Sequence, residues 1–141
     1  MGTLTDAKTL YGGSATAGGF SNEEVWTKVT YDFSDDGGET EDNIIITAGS
    51  SLVITDYYLH VTTAASSPAA AVIDVGMDAG GAELGSDITT ATLTEDYLVG
   101  FIAGGVTKLR LGVGETIVMG VESSTLAAGV FDFYFKTIPL A

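Results

Sequence analysis

The stretch that decides the fold of this chain is ETIVMGVESSTLAAGVFDFYFK, residues 115–136. Every second position of its first and last parts is apolar, at Ile117, Met119, Val121, Phe131, Phe133 and Phe135. Successive side chains of a strand point to opposite faces, so each part has one apolar face. The small polar residues and glycine between the two parts are typical of a loop. The stretch therefore predicts two strands, antiparallel neighbours that face one core, because a buried phenylalanine contributes roughly 2 kcal/mol or more.

The same alternation recurs through the rest of the chain and marks its other strands. They are predicted at residues 23–33, 44–47, 52–63, 71–77, 97–102 and 107–111. Residues 78–94, rich in Gly, Ala and Thr, are expected to form a long excursion over one end of the sheets, with room for a short helical turn. About eight strands separated by turn signals, with no convincing helix, predict an all-β fold. We expect an antiparallel β-sandwich of the jelly-roll kind.

The alternation also predicts the core, as odd-numbered apolar residues that face inward. The expected core residues are Val25, Val29, Tyr31, Val53, Leu59, Val61, Ile73, Val75, Leu109, Leu111, Ile117, Met119, Val121, Phe131, Phe133 and Phe135. Trp26 falls on the opposite, solvent-facing side, among charged residues. It is either covered by a loop or exposed as an interface anchor, and the sequence favours neither.

Composition restricts the possible partners. The 141 residues are 45% hydrophobic and 17% charged, which indicates one globular domain. Nineteen acidic residues against five basic ones give a net charge of −14, so binding to nucleic acid or to an anionic membrane is disfavoured. No apolar run reaches the roughly 20 residues of a helical membrane span. Such acidity favours solubility and permits attraction to a basic partner surface.

The chain also lacks the residues of common active sites. It has no cysteine, which excludes disulfides and thiolate metal sites, so the fold can form in a reducing cytoplasm and persist outside a cell. No basic-then-apolar segment opens the sequence, so no signal peptide is expected. The one histidine, His60, falls on the polar face of its predicted strand, and a histidine alone makes no hydrolase triad. We expect no enzymatic activity and no cofactor.

An acidic segment, SDDGGETEDN at residues 34–43, raises the question of calcium. It offers many oxygen ligands, together with Asp32 before it. An EF-hand loop, however, needs alternating ligands, a glycine, a glutamate at the twelfth position and flanking helices. Because that spacing fails and the flanks read as strands, we expect a solvated turn with positive φ near Gly37 and no bound metal.

Residues 1–22 differ from the rest and hold five of the 19 glycines. Glycine and serine keep a chain flexible, yet four large apolar residues are spaced through this segment, at Leu4, Leu10, Tyr11 and Phe20. The segment is either a disordered terminus or an arm that orders against a neighbouring subunit. We therefore divide the chain into a flexible arm, residues 1–22, and a β-sandwich domain, residues 23–141.

Two of the five basic residues, Lys108 and Arg110, share one strand face. They form either a solvated face or a salt bridge between subunits. The candidate contacts with another subunit or a partner protein are thus Leu4, Leu10, Tyr11, Phe20, Trp26, Lys108 and Arg110.

The layout from VTYDFSDDGG (29–38) through LVITDYYLHVTTA (52–64) and VIDVGMD (72–78) to the opening stretch resembles a known family. It is similar to small β-sandwich structural proteins of tailed bacteriophages, the head decoration (cement) and minor structural proteins. The shared features are Phe33 before Asp-Gly-Gly, Ile54-Thr55-Asp56 with a later Val and Thr-Ala, and a final hairpin with Leu-Ala-Ala-Gly before Phe131. The likeness covers residues 25–136 and contains no catalytic signature.

The resemblance implies a non-enzymatic protein on the outer capsid surface of a virion. Its partners would be the major capsid protein and copies of itself, as a homotrimer, with no nucleic acid and no membrane. Two alternatives stay open. One is a tail, baseplate or fibre component; the other is a carbohydrate-binding module, since Trp26, Tyr58 and Tyr134 all fall on outer faces.

Overall fold

The computed structural model describes residues 2–11, 15–16, 19–20, 25–77, 81–100 and 108–140. Within these ranges it contains strands and one short helix. In chain order these are β1 (Gly2–Leu10), β2 (Ala15–Thr16), β3 (Gly19–Phe20), β4 (Val25–Asp32), α1 (Phe33–Asp36), β5 (Asp42–Ala48), β6 (Leu52–Ser66), β7 (Val72–Met77), β8 (Gly85–Thr89), β9 (Leu98–Val99), β10 (Leu109–Leu111), β11 (Thr116–Glu122) and β12 (Ala128–Pro139). In the described part of the chain, no helix has the length and apolar character needed to cross a membrane.

Two five-stranded sheets form the fold. Sheet I has the strand order β1-β5-β11-β7-β8, and sheet II has the order β10-β6-β12-β4, with β9 beside the second half of β6. Every pair in the two sheets is antiparallel except β1 with β5, which is parallel. A separate pair, β2 with β3, lies outside both sheets. The prediction of an all-β sandwich is confirmed.

The two strands of the opening stretch, β11 and β12, are not sheet neighbours, so that prediction was wrong. β11 lies between β5 and β7 in sheet I, whereas β12 lies between β4 and β6 in sheet II. The connection crosses from one sheet to the other, with Ser123 at φ 69° and the Leu126 N–H donating to the Gly38 carbonyl at 2.9 Å. Opposite sheets let both apolar faces pack into the same core from its two sides.

The predicted core is confirmed at most positions. Phe131, Phe133 and Phe135 are fully buried and pack in one cluster with side chains of β11. Tilted ring pairs join strands within sheet II, with Tyr31 5.1 Å from Phe131 between ring centroids. The Tyr31 hydroxyl donates to the Gly37 carbonyl at 2.6 Å, and burial, aided by two nearby acidic residues, raises its pKa. Leu109 is half-buried, and the side chain of Val25 lies outside the described residues.

One predicted core residue, Val53, points outward, because the alternation of β6 changes phase along the strand. Leu52 and Ile54 are fully buried, whereas Val53 is half-buried. In the pairing with β12, Ile54 is opposite Thr137 while Asp56 is opposite Lys136, which leaves Thr55 as one extra residue. Such a β-bulge moves the following side chains to the other face, so Tyr57 and the residues after it return to the predicted register.

Three local predictions were correct only in part, and the positive φ expected at Gly37 is confirmed. The acidic turn begins with the short helix α1, where the Asp32 side chain accepts a hydrogen bond from the Ser34 N–H and Gly37 ends the helix at φ 73°. The predicted excursion contains β8, which carries too few apolar residues to show alternation. The strand expected at residues 97–102 is reduced to β9, and residues 101–107 lie outside the described part of the chain.

The first half of the predicted arm is a strand of this chain's own sheet. β1 pairs with β5 at both ends, while residues 4–7 lie opposite Ile45 alone and bulge away. Leu4 follows the paired, exposed Thr3 and so faces the core, where it is 2% exposed. Leu4 therefore finds its burial within its own chain, contrary to the expectation that the arm's apolar residues need a neighbour.

Candidate interaction surfaces

The outer face of sheet II, here called the aromatic face, is arranged in rows by strand register. Three rows cross β4, β12 and β6: Trp26–Lys136–Asp56, then Lys28–Tyr134–Tyr58, then Thr30–Asp132–His60. The Trp26 and Tyr58 rings stack, with centroids 5.8 Å apart and planes at 22°. Lys136 Nζ lies 5.8 Å from the Trp26 centroid and 3.8 Å from Asp56 Oδ2. Rings and charges are thus interleaved on one surface.

This face is exposed to a degree unusual for its side chains. Trp26 is 50%, Tyr58 41% and the neighbouring Leu98 60% exposed. A shallow depression of about 370 Å³ is lined by Tyr58, His60, Leu98 and Tyr134. Contiguous exposed aromatic surface marks interaction sites, and Trp and Tyr are frequent interface anchors. Of the two readings of Trp26 in the sequence, exposure is correct.

Polar side chains on the aromatic face are held in place by neighbours. Asp132 Oδ1 accepts a hydrogen bond from the Thr30 hydroxyl at 2.6 Å. His60 Nε2 lies 3.4 Å from Asp96 Oδ1 at the rim. These contacts fix where the charges of the face sit before any partner arrives.

All five basic residues of the chain lie on or beside the aromatic face. Lys28 and Lys136 are within its rows. Arg110 is opposite Val53 on β10 and points outward, since buried Leu111 and half-buried Leu109 flank it, and exposed Lys108 precedes that strand. Lys8, on β1, donates from Nζ to the Lys28 carbonyl at 2.6 Å. The remaining surface of a −14 protein is therefore acidic.

The outer face of sheet I, here called the acidic face, has the opposite character. Its carboxylates come from four strands, as Asp42, Asp74, Asp87 and Glu122. Gly120 lies between Asp42 and Asp74 in the register, and an added Cβ there would meet the Asp42 carboxylate. The Asp87 N–H donates to Asp74 Oδ1 at 2.6 Å.

Like charges are crowded on the acidic face. Carboxylate oxygens of Asp74, Asp87 and Glu122 lie within 4.8 Å of one another. The negative charge of Asp74, and a hydrogen bond with it, raise the pKa of Glu122. Oxygen ligands of this kind suit hard cations, although exposed acidic groups often cluster without one. Sequence reasoning missed this cluster because its members are far apart in the chain and only strand order brings them together.

Apart from the two faces, a cluster of polar side chains joins β1 to β4 at the edge of sheet II. Asp6 Oδ2 accepts a hydrogen bond from the Thr30 N–H at 2.8 Å and lies 3.2 Å from Lys8 Nζ. Burial raises the pKa of Asp6, but the Thr30 N–H and the Lys8 ammonium outweigh that effect and hold the pKa below its ordinary value. Asp36 Oδ1 accepts from the Thr5 N–H at 2.7 Å. Asp6 and Asp36 thus accept hydrogen bonds from backbone N–H groups of two edge strands, β4 and β1, which could otherwise pair with another chain.

The predicted contact residues are distributed over several places. Leu10 is half-buried, and Tyr11 is 70% exposed, with its ring beside Gly49. Arg110 is exposed on the same sheet as Trp26, and exposed Lys108 directly precedes its strand. The side chain of Phe20 lies outside the described residues. Contact of these residues with another subunit or a capsid stays a prediction.

Two acids at the start of the acidic turn, Asp32 and Asp36, accept hydrogen bonds within the local fold. Asp32 accepts from the Ser34 N–H and hydroxyl at 3.0 and 2.7 Å. Asp36 Oδ2 accepts from the Asp32 N–H at 3.0 Å, beside its contact with Thr5. Carboxylates engaged in this way act as caps, and the absence of a metal there stays a prediction.

No protein-family model and no curated protein matches the sequence. Three solved structures, however, contain chains that share the fold. A chain of the cyanophage Pam1 capsid asymmetric unit is similar with a TM-score of 0.62 and 13% identity, over 90% of this chain and 92% of that one. A chain of the Ralstonia phage GP4 capsid gives a TM-score of 0.62 and 10% identity, over 94% and 99%. A chain of the acidic stable capsid of Helicobacter pylori bacteriophage KHP30 gives 0.55 and 9%, over 81% and 86%.

Proposed function

We propose that this protein is a structural component of a bacteriophage virion, a decoration (cement) protein on the outer surface of the head. The observation that carries the proposal is the fold likeness to chains of three phage capsid structures over nearly the whole length of both partners. Insertions or missing elements would have lowered that mutual coverage. A shared fold alone does not imply a shared function, so the sequence resemblance to phage decoration proteins is the second support.

The physical properties of the chain suit this role. A protein that reinforces a shell needs a rigid fold and a complementary surface, and we propose no reaction for it. One continuous core holds the two sheets together, and a hydrogen bond between the Thr30 N–H of β4 and Asp6 of β1 joins their edges. Many weak contacts on one lattice give avidity far above that of a single contact.

The proposed partners are the major capsid protein and other copies of this chain. A surface of net charge −14 is attracted to a basic shell surface and repelled by packaged nucleic acid. The homotrimer implied by the sequence resemblance stays a prediction, because no observation on the described residues fixes the number of subunits.

Quantitative mass spectrometry of purified particles tests the proposal. A decoration protein should be present at a copy number comparable to that of the major capsid protein. A copy number that corresponds to one ring would instead identify a tail or baseplate component, and absence from particles would contradict a virion role altogether. Labelling with an antibody then separates an outer position from an inner one.

The carbohydrate-binding alternative has one observation in its favour, since Trp26, Tyr58 and Tyr134 do lie on one face. Two contacts weaken it. The Trp26 ring is already engaged by Tyr58 and by the Lys136 ammonium, which leaves less open ring surface for a sugar. A glycan array with labelled protein tests this alternative. Any sugar that binds can then be titrated in solution while the fluorescence of Trp26, the one tryptophan of the chain, is followed.

A further inference from the structure

The charge distribution singles out one surface for self-association. Two copies of a chain with net charge −14 repel each other through most of their surfaces. The aromatic face is different, because Lys28 and Lys136 lie beside Asp56 and Asp132 in its three rows, which makes those rows nearly neutral. Only a face that mixes both signs can meet its own copy without strong repulsion.

The same face supplies apolar anchors. Trp26, Tyr58 and Leu98 are among the most exposed large apolar side chains of the described residues, and Tyr134 lies at the middle of the central strand. Aromatic anchors in the centre of an interface contribute most of its binding energy. An aromatic centre with charges on both sides is the arrangement expected of a protein interface.

The register shows that the face is self-complementary. Consider two copies face to face, related by a two-fold axis that runs across the strands along the row Lys28–Tyr134–Tyr58. Rows on either side of that axis then exchange places. Lys136 lies opposite the partner's Asp132, and Asp56 lies opposite the partner's His60. Tyr134 and Tyr58 meet their own counterparts, while Lys28 meets its counterpart at the sheet edge, where solvent screens the repulsion.

We infer that the aromatic face is a two-fold contact between two copies of this chain. A two-fold contact uses the same patch on both subunits and closes on itself, so it yields a discrete dimer rather than a filament. It is therefore not the contact that would close a homotrimer. The contact is a property of the chain in solution, and it holds or fails independently of the proposed virion role.

The size of the face predicts a weak contact. A patch of four strands about 4.8 Å apart and about eight residues long covers roughly 500 Å² per subunit, or about 1,000 Å² in total. Specific stable interfaces begin at roughly 1,200 Å². The dimer should thus form at high protein concentration and gain further stability where many copies are held close together.

A mixing experiment tests this symmetry. In the Lys136→Asp chain, and equally in the Asp132→Lys chain, like charges oppose each other twice across the two-fold axis. Each variant alone should therefore dimerise at least about tenfold more weakly than the parent. In an equal mixture of the two variants both pairs become attractive, so sedimentation velocity should show the dimer restored. The double variant in one chain should also dimerise like the parent.

A crosslinking experiment does not depend on these charge changes. The chain has no cysteine, so Lys28→Cys introduces a single reactive thiol on the proposed axis and leaves the aromatic anchors in place. Facing sheets are about 10 Å apart, a distance that a short bis-maleimide spans. At high protein concentration Lys28→Cys should give covalent dimers, whereas Tyr11→Cys, at an exposed aromatic residue away from the face, should not.

Two outcomes would overturn the inference. The first is association that does not follow the proposed symmetry: the parent chain stays monomeric at high concentration, or it forms a trimer whose stability is unaffected by Lys136→Asp and Asp132→Lys. The second is binding of a glycan or of the shell protein to the aromatic face while the chain remains monomeric. Melting curves for each variant confirm that a lost dimer is not a lost fold.

Discussion

The two outer faces of the sandwich obey the same pattern and differ in chemistry. In β7 and β11 of one sheet, and in β4 and β12 of the other, successive outward positions are two residues apart. The aromatic face carries Trp26, Tyr58 and Tyr134 among charges of both signs, and the acidic face carries the carboxylates of Asp42 and Asp74 beside Gly120. Because the core specifies only inward positions, the outward positions are free to differ between the sheets. That difference, rather than the shared fold, indicates which side of the molecule meets a partner.

The largest loss of stability is expected from a substitution in the core that lies beneath both faces. Phe133→Ala should lower the free energy of unfolding by about 3–5 kcal/mol, because Phe133 is fully buried. Tyr134→Ala, one residue away on the aromatic face, should cost little stability but weaken the dimer. Chemical denaturation measures the first effect and sedimentation the second. Equal losses of stability in the two variants would contradict the assigned faces.

A smaller loss is expected at β1. Leu4→Ala should destabilise the fold by about 2–3 kcal/mol, since Leu4 is buried but lies on an edge strand. Thr9→Ala, at an exposed position of the same strand, is the matched control and should have little effect. Thermal melts of both variants would show whether β1 belongs to the folded domain; identical melting temperatures would restore the flexible arm predicted from sequence.

Asp6 and Glu122 give pH effects of opposite sign, with Asp6 the larger. The pKa of Asp6 is lowered in the folded state, so its contribution is present above the ordinary pKa of an aspartate and is lost as the pH falls through the lowered value. Asp6→Asn should therefore cost about 1 kcal/mol or less at neutral pH, because the side chain is nearly half exposed. The parent and the variant should converge in strong acid, as measured by melts across pH.

Glu122 should behave in the reverse way on the acidic face. Its pKa is raised, so the ionised form is disfavoured in the folded state and protonation stabilises the fold as the pH falls through the raised value. Glu122→Gln should slightly raise the melting temperature at neutral pH, and this gain should disappear below that value. A loss of stability at neutral pH would show that the Glu122 charge has a favourable partner.

The smallest expected effect is that of calcium. Melts in millimolar calcium and in EDTA should coincide, since the acidic turn lacks the spacing of a calcium loop and its Asp32 and Asp36 already accept protein hydrogen bonds. If calcium did raise the melting temperature, repeating the melts with Glu122→Gln would decide whether the ion sits on the acidic face instead.

Local patterns predicted much of this fold, because burial of one strand face is a local property. The alternation at Phe131 and Phe133, and at Ile117, is correct in the structure. It could not reveal that β11 and β12 lie in opposite sheets, since either arrangement buries the same residues. Nor could it place the extra residue Thr55, whose bulge appears only when β6 is paired with β12.

The surfaces were less predictable for a related reason. Trp26, Tyr58 and Tyr134 were identified as outward-facing, but their proximity depends on β4, β12 and β6 being neighbours. The acidic face depends in the same way on the order of four strands. Polar residues carry little information about which strand lies beside which, so clusters built from distant segments appear only in the assembled sheets.

The position of β12 has a consequence for biosynthesis. β12 follows all its partners in the sequence, yet it lies at the centre of sheet II between β4 and β6. Until the ribosome has released it, β4 and β6 expose unpaired inner edges, and Tyr31 and Tyr57 lack the β12 rings that they pack against. Folding of this sandwich is therefore delayed until synthesis has passed residue 139, and shorter products have no route to the native sheet. In the proposed virion role, a lattice that accepts only folded subunits would exclude such fragments without any separate proofreading step.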